Sequence, residues 1–206
     1  SAPTAFNYTL DTTGSSVAIL VSPDINSSNV GSYSLSGSCS ENGREVTVVV
    51  GGIMPVTQPT CGGGAWSVSG LNMVGAAEGS LTITANHSDA AGNPSSDTAS
   101  ITKDTSIPTV AISVVSNIGV SNQNNYSLSG SCSENGRQVL VDVGGVSPAV
   151  QPTCSSGGWS VTGLNVSSVA DGSVTITADH SDIVGNNIQE TQNVNKDTSI
   201  PSVAIN

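Results

Sequence analysis

Two stretches of the chain concentrate side chains that could bind a metal ion. One runs from His87 to Asn93 as HSDAAGN, and the other runs from His180 to Asn186 as HSDIVGN. Only 9% of the 206 residues are charged, whereas ordinary domains contain about 25%, so aspartates that recur in one context are notable. Carboxylate and amide oxygens are the ligands that Ca²⁺ prefers. The two stretches are therefore candidate parts of a cation site.

The net charge excludes several classes of partner. The formal charge is −11 at pH 7, with four Lys and Arg residues in total. So few cations cannot form the positive surface that binds nucleic acid or an anionic membrane. No apolar run approaches the roughly 18–20 residues of a membrane span, and no signal peptide is visible at the N-terminus. Because the repeat pattern is interrupted at both ends, we expect a segment of a longer protein.

The sequence contains a repeat of domain size. YSLSGSCSENGREV at 33–46 returns 93 residues later as YSLSGSCSENGRQV at 126–139. LDTTGSSVAI at 10–19 likewise aligns with KDTSIPTVAI at 103–112 and KDTSIPSVAI at 196–205. A unit of this size can bury its own core, unlike the short repeats of solenoids. We predict the end of a preceding domain or a linker at 1–10, repeat 1 at 11–103, repeat 2 at 104–196, and the start of a third repeat at 197–206.

Within each repeat the sequence has the period of a β-strand. In repeat 2, TVAIS, NYSLSGS, QVLVDV, WSVTGL, SVTITAD and TQNVN alternate or are β-branched. SPAVQPT at 147–153 contains prolines that suit an edge strand. Gly, Asn, Ser and Pro fill the gaps, and no window shows a capped helical stripe. We therefore predict an all-β chain of two tandem immunoglobulin-like seven-stranded β-sandwiches arranged end to end, with strands lettered A to G.

This topology also pairs the cysteines. If each strand reverses the one before, strand B delivers one cysteine to the pole where the domain begins, and strand D returns the other to the same pole. We predict the disulfides Cys39–Cys61 and Cys132–Cys154, each worth about 3 kcal/mol in the chain-entropy account. A zinc site is disfavoured because there is no C-x-x-C pair. Paired cysteines indicate an oxidising compartment outside the cytosol.

The same topology brings carboxylates from three segments to one pole. The F–G loop, the B–C loop and the linker that enters the domain all lie there, so their acidic residues converge at the joint between repeats. Ca²⁺ suits a loop-built oxygen cage better than Mg²⁺, and gathered carboxylates need such compensation. The predicted ligands are Asp11, Glu41, Asp89 and Asn93 in repeat 1, Asp104, Glu134, Asp182 and Asn186 in repeat 2, and Asp197 at the start of a third set.

Two features of this predicted site stay open. Glu78, in the E–F loop at the opposite pole, could reach the joint from the preceding domain. The carboxylates could also be ordinary turn residues, because Asp, Asn and Gly stabilise turns without a metal. The spacing of an EF-hand is absent, and Lys103 and Lys196 are too few to neutralise the set.

The motifs, in their order along the chain, resemble those of a known family. SGSCSENGREVTVVVGG, GGWSVTGL, DGSVTITADHSDIVGN and KDTSIP are similar to bacterial Ig-like repeats of giant secreted adhesins of the RTX and biofilm-associated kinds, over nearly the whole chain. The resemblance implies extender repeats with calcium at domain joints and type I secretion. The disulfides depart from it, since most such repeats lack them. Carried over, the family's B–C loop Glu falls on Glu41 and Glu134, its F–G loop Asp on Asp89 and Asp182, and its linker Asp on Asp11, Asp104 and Asp197.

Together these patterns favour a structural role. We predict calcium-stiffened stalk repeats of an extracellular bacterial surface adhesin, with neighbouring repeats of the chain as partners and a monomeric state. Catalysis is not expected, because a Ser/His/Asp set could be picked by chance from so many serines. The alternative is a ligand- or glycan-binding Ig-like module. Against it, aromatic residues make up only 3% of the chain, and Trp66 and Trp159 are predicted to be buried on strand E.

Overall fold

Alternating sequences fold as β-strands throughout the computed structural model, which describes residues 10–113 and 115–205. Residues 1–9 of the predicted first segment and residue 206 of the last lie outside the described residues. The prediction of an all-β chain is confirmed, and no helix of the described residues could cross a membrane. The chain divides into two compact units, with the boundary between Thr105 and Ser106.

Unit 1 is a sandwich of two antiparallel sheets. The sheet orders are β1-β2-β4 and β3-β5-β6, which correspond to strands A-B-E and C-F-G of an immunoglobulin-like sandwich. An isolated parallel bridge between Ile25 and Lys103 adds a short A′ segment beside β6. The strands are β1 (Val17–Val21), β2 (Tyr33–Cys39), β3 (Val46–Val50), β4 (Ala65–Leu71), β5 (Gly79–Ser88) and β6 (Pro94–Lys103).

Unit 2 repeats this arrangement with a longer A′ segment. One sheet has the order β11-β9-β7, and the other has the order β10-β12-β13-β8. The A′ strand β8 pairs in parallel with β13, with Ile118 opposite Lys196. The strands are β7 (Val110–Ile112), β8 (Ile118–Gly119), β9 (Tyr126–Cys132), β10 (Val139–Val143), β11 (Gly158–Leu164), β12 (Gly172–Ser181) and β13 (Asn187–Asp197).

The predicted strand D does not form. In 147–153 the backbone makes only an isolated bridge, from Thr153 to Gln138 beside β10. The prolines of this segment have no N–H to donate to a ladder. The side chain of Gln151 acts in place of a strand, because its Oε1 accepts from Val141 N at 2.7 Å and its Nε2 donates to Val141 O at 3.2 Å. The segment therefore lies along strand C, and strand E is left as a sheet edge.

The core of each unit is built from the inward face of each strand. Trp66 and Trp159 are 2% and 4% exposed, which confirms their predicted burial on strand E. Each tryptophan covers a glycine of strand B. A Cβ on Gly37 would lie 1.8 Å from Ala18 O and 2.6 Å from the Trp66 ring, and Gly130 has the same distances in unit 2. Only glycine fits beneath these rings.

Both predicted disulfides are present. Cys39 pairs with Cys61, and Cys132 pairs with Cys154, each across 22 residues. In each unit the bridge joins the end of strand B to the segment that precedes strand E. No free cysteine occurs among the described residues. Such bridges are typical of proteins from oxidising compartments.

Candidate functional site

In unit 1, both carboxylate oxygens of Asp89 accept hydrogen bonds within the F–G turn. Asp89 follows β5 and Asn93 precedes β6, and the Asp89 N–H donates to Asn93 O at 3.2 Å. Asn93 N donates to Asp89 Oδ1 at 2.8 Å, and Asn93 Nδ2 donates to Oδ2 at 2.7 Å. These bonds, above all the one from the Asn93 side chain, lower the pKa of Asp89 below its usual range. The carboxylate is therefore held ionised and is already hydrogen-bonded through both oxygens.

Asp11 meets this turn through its backbone. The Asn93 amide nitrogen lies 3.1 Å from Asp11 O and 3.3 Å from Thr13 O. The Asp11 carboxylate instead accepts from Thr13 N at 3.0 Å. The structure thus brings Asp11, Asp89 and Asn93 together, but the Asn93 amide group stands between the oxygens that a cation would need.

Glu41 is positioned by a buried histidine that is not among the predicted ligands. The Glu41 N–H donates to His87 Nε2 at 3.2 Å, and His87 Nδ1 lies 2.9 Å from Glu45 O. Because Nε2 accepts, Nδ1 carries the proton and donates. His87 is 3% exposed, so this imidazole fixes both sides of the B–C loop. The signal available in the sequence was that the histidine recurs at the repeat offset.

Unit 2 contains the same arrangement. Asp182 Oδ1 accepts from Val184 N and Asn186 N, both at 2.9 Å, and Oδ2 accepts from Asn186 Nδ2 at 2.7 Å. Glu134 N donates to His180 Nε2 at 3.1 Å. The Glu134 carboxylate accepts from Ser133 Oγ at 2.9 Å. The predicted ligands of this repeat therefore anchor their own loops.

The linker aspartates lie at the end of the last strand of each unit. Asp104 N donates to Ile25 O at 2.9 Å, which places Asp104 at the end of β6 in unit 1. Asp197 Oδ1 accepts from Ser199 N at 2.9 Å. Hydrogen bonds from Ser199, the side chain first, lower the pKa of Asp197. The set predicted for repeat 2 is thus divided, because Asp104 belongs to unit 1 while its other members belong to unit 2.

At the other pole a buried lysine holds each E–F loop, and we call this contact the lysine clamp. Lys103 Nζ donates to Ala76 O at 2.6 Å and to Val74 O at 3.4 Å, and it pairs with Glu78 Oε1 at 3.1 Å. Lys103 is 3% exposed. Backbone carbonyls thus solvate a buried ammonium group that would otherwise be costly.

Among the residues that the structure describes, the clamp of unit 2 uses carbonyl groups alone. Lys196 Nζ donates to Val166 O at 3.0 Å, to Ser167 O at 3.1 Å, and also to Val169 O. Lys196 is 2% exposed. Both lysines are therefore engaged by the E–F loops of their own units.

A threonine two residues after each lysine completes the contact. Thr105 donates from N to Glu78 Oε2 at 3.0 Å and from Oγ to Oε1 at 2.8 Å. These bonds, first that of the Thr105 hydroxyl and then the Lys103 contact, lower the pKa of Glu78. Thr198 binds Asp171 in the same way, at 3.1 Å from N and 3.0 Å from Oγ. Glu78 is therefore engaged inside its own unit.

The folded carboxylates of unit 1 do not form a cage for Ca²⁺. Six to eight oxygens must converge on such an ion. Across residues 10–113 and 115–205, no group of three or more His, Cys, Asp or Glu side chains could hold a metal ion. The oxygens of Asp89 are bound to turn donors, and Glu41 reaches His87 through its backbone. As they lie here, these residues act as turn and loop anchors.

No protein-family model and no curated protein matches the sequence. Among solved structures, the chain is similar to a Ca²⁺-stabilized adhesin of an Antarctic bacterium that binds ice, at 24% identity over 91% of this chain and 50% of that one, with a TM-score of 0.45. It is also similar to a tetra-tandem repeat from the extending region of a large adhesion protein. The identity is 24% over 90% of this chain and 50% of that one, with a TM-score of 0.39. The third similar structure is from a 1.5-MDa bacterial ice-binding adhesin. The identity is 21% over 90% of this chain and 65% of that one, with a TM-score of 0.44. The chain thus spans about half the length of the first two structures.

Proposed function

We propose that this chain is a pair of stalk repeats from a bacterial cell-surface adhesin, which hold a binding region away from the cell. The observation that carries the proposal is that each unit fastens its last strand to its own body at the same three points. These are the parallel A′–G contact, the lysine clamp, and the threonine bound to an E–F loop carboxylate. A repeated unit that is closed in this way is suited to being joined in series.

The A′–G contact is suited to tension applied at the two ends of a unit. The chain enters each unit through strand A and A′ and leaves through strand G. Ile25 lies opposite Lys103 in unit 1, and Ile118 lies opposite Lys196 in unit 2, both in parallel. Pulling the two ends apart slides the A′ segment and strand G past each other along their length. The hydrogen bonds between them must therefore break together. The clamp adds a buried ammonium group, bonded to backbone carbonyl oxygens, at the residue where that shear acts.

Composition is consistent with an exposed position outside the cell. The two disulfides suit an oxidising environment. A net charge of −11 keeps neighbouring copies apart and soluble. The resemblance of the motifs to adhesin extender repeats points to the same location, with type I secretion as its expected route.

Calcium at the joints is a separate proposal. The resemblance supports it, with Asp104, Glu134, Asp182 and Asn186 as the set to test. As folded, the carboxylates of Asp182 and Glu134 accept hydrogen bonds within unit 2, as that of Asp89 does within unit 1. Calorimetric titration with CaCl₂ of the chelator-treated chain tests it directly. Heat of binding that Asp104→Ala removes and Glu190→Gln leaves unchanged would support calcium. No binding in millimolar Ca²⁺ would leave these residues as turn anchors.

Single-molecule pulling from both ends tests the stalk role itself. We expect two unfolding events of equal length, one for each unit. Lys103→Met should lower the unfolding force of one event and Lys196→Met that of the other, because each removes a contact at the sheared strand. Glu190→Gln, on the exposed face of β13, is the control. Unfolding forces that do not respond to either lysine variant would contradict a mechanical role for the lysine clamps.

A further inference from the structure

A polar depression lies on the outer face of the C–F–G sheet in unit 1. Its volume is about 450 Å³, which is within the range of about 300–1,000 Å³ found for small-molecule sites. The lining combines charged, amide and hydroxyl side chains with a proline ring, and it includes Arg44, Glu45, Thr47, Asn86, Pro94 and Ser96. We call it the outer-face site.

The floor of the site is a row of short polar side chains across three strands. Thr47 of β3 lies opposite Asn86 of β5, and Asn86 lies opposite Ser96 of β6. Within the described residues the Asn86 amide and the Ser96 hydroxyl have no hydrogen-bond partner in the protein. The row therefore offers both donors and acceptors to a molecule in the depression.

Arg44 and Glu45 form the walls of the site, and each is held by a contact with strand β5. Arg44 Nε donates to Ser88 O at 2.7 Å, which leaves the terminal nitrogens of the guanidinium group for other contacts. The backbone of Glu45 is held by buried His87 at 2.9 Å. The two walls carry opposite charges, and no salt bridge joins them among the described residues. The Glu45 carboxylate accepts from Thr47 Oγ1 at 3.4 Å. A guanidinium group that is held at Nε loses less freedom on binding than an unattached one.

Unit 2 lacks this open polar row at the equivalent positions. Its row is Leu140, Asp179 and Gln189, joined by the same strand pairing. Gln189 Nε2 donates to Asp179 Oδ1 at 2.8 Å, so the two polar groups satisfy each other. The longer Leu140 and Gln189 side chains occupy the positions of a threonine and a serine. Arg137, in contrast, keeps the contact of Arg44 by donating to Ser181 O at 3.2 Å.

We propose that the outer-face site of unit 1 binds a neutral saccharide. Planar polar side chains such as those of Arg44, Glu45 and Asn86 can bond to pairs of adjacent hydroxyl groups through two atoms each. The opposite charges of Arg44 and Glu45 balance, and a chain of net charge −11 disfavours an anion. The Pro94 ring offers an apolar surface to the C–H face of a sugar. This role is independent of the stalk role, and it is confined to one of the two repeats.

NMR titration of the ¹⁵N-labelled chain tests the proposal with an internal control. The probes are D-glucose, D-galactose, D-mannose and N-acetyl-D-glucosamine, with D-glucuronate and sulfate as anionic comparators. We expect at least one neutral sugar to shift the amide signals of Thr47, Asn86 and Ser96 with millimolar affinity. The signals of Leu140, Asp179 and Gln189 should stay in place.

Exchanging residues between the units sharpens the test. Thr47→Leu with Ser96→Gln installs in unit 1 the side chains that unit 2 accommodates, and it should abolish the shifts. Leu140→Thr with Gln189→Ser and Asp179→Asn should create shifts in unit 2. The dispersed signals of the two tryptophan indoles report that each variant is folded.

Three results would overturn the proposal. These are the absence of shifts with all four neutral sugars, shifts of equal size in both units, and shifts only with glucuronate or sulfate. If a neutral sugar binds, arrays of host surface glycans and of bacterial polysaccharides that contain it distinguish the two sources of the ligand.

Discussion

Units 1 and 2 share their internal contacts but differ on their outer C–F–G faces. In both, a glycine lies beneath the buried tryptophan, a histidine ties the B–C loop, and a tyrosine hydroxyl holds the A–A′ bend. Tyr33 Oη donates to Pro23 O at 2.8 Å, and Tyr126 Oη donates to Ser116 O at 2.7 Å. Burial and the charge of Asp24 raise the pKa of Tyr33 to about 12. The outer rows of the two units share no such contact, so the residues on that face can differ between the units without changing the fold.

The two lysine clamps show a smaller divergence of the same kind. Lys103 binds two carbonyl groups and the Glu78 carboxylate, whereas Lys196 binds three carbonyl groups. Glu78 is half exposed, so water also solvates it. The comparison teaches that a buried ammonium group can be accommodated with or without a counter-ion, provided that its donors are satisfied.

The largest loss of stability should come from substituting the glycine that lies beneath the buried tryptophan in both units. Gly37→Ala and Gly130→Ala each force a Cβ against a backbone oxygen at 1.8 Å and a tryptophan ring at 2.6 Å. We expect a loss of about 3 kcal/mol or more of unfolding free energy from the affected unit, since strands A and B must separate. Urea unfolding followed by tryptophan fluorescence measures it, because each unit contains one tryptophan.

Gly75→Ala is the control for the glycine pair, since nothing lies within 4 Å of its Cβ position. It should change the stability of unit 1 by less than about 0.5 kcal/mol. If Gly37→Ala were tolerated as well as Gly75→Ala, the shared packing beneath Trp66 would not be a requirement of the fold.

The next largest loss of stability should differ between the two lysine clamps. Lys196→Met leaves three carbonyl oxygens without their donor, and we expect a loss of about 2–3 kcal/mol from unit 2. Lys103→Met should cost unit 1 less, because it frees two carbonyl groups and a carboxylate that water can reach. Chemical denaturation read separately for each unit by hydrogen exchange gives both values. Equal losses would show that the ion pair contributes as much as the additional carbonyl contact.

The smallest effect should appear as a difference in acid sensitivity. The Thr105 hydroxyl, and then Lys103, lower the pKa of Glu78 in the folded state. Its contribution to stability is therefore present above the unfolded value of about 4.3 and is lost as the pH falls through the folded pKa. Glu78→Gln should flatten the dependence of unit 1 stability on pH between about pH 5 and pH 3. Some slope will remain, because the pKa of Asp89 is lowered too.

Unit 2 of the Glu78→Gln variant provides the reference for this titration, since nothing in it is changed. Hydrogen exchange measured at a series of pH values reports both units in one sample. A pH dependence of unit 1 that is unchanged by the substitution would mean that Glu78 is equally stabilised in the unfolded chain.

Sequence patterns were sufficient for the strands, the disulfides and the buried tryptophans, because period-two alternation and cysteine placement reflect burial directly. They failed for strand D, where Gln151 replaces a backbone ladder through its side chain, a contact with no periodic signature. A short A′ segment such as Ile118–Gly119 is likewise too brief to produce a pattern.

The candidate site shows a different limit. Topology placed the acidic loops at one pole, and in unit 1 Asp11, Asp89 and Asn93 do meet. The sequence could not reveal that the Asn93 amide lies among the oxygens, or that buried lysines hold the opposite loops. Such details depend on where single side-chain atoms point, which residue spacing does not determine.

The position of each disulfide limits how far an unfolded repeat can extend. The bond between Cys39 and Cys61 closes a covalent ring that contains all of β3, and its counterpart in unit 2 contains β10. A unit pulled open would release only the chain outside this ring, so about 75 Å of contour length stays hidden in each repeat. Reduction of the bond would return that length. A stalk of such repeats would therefore carry a reserve of extension that depends on the redox state of its surroundings.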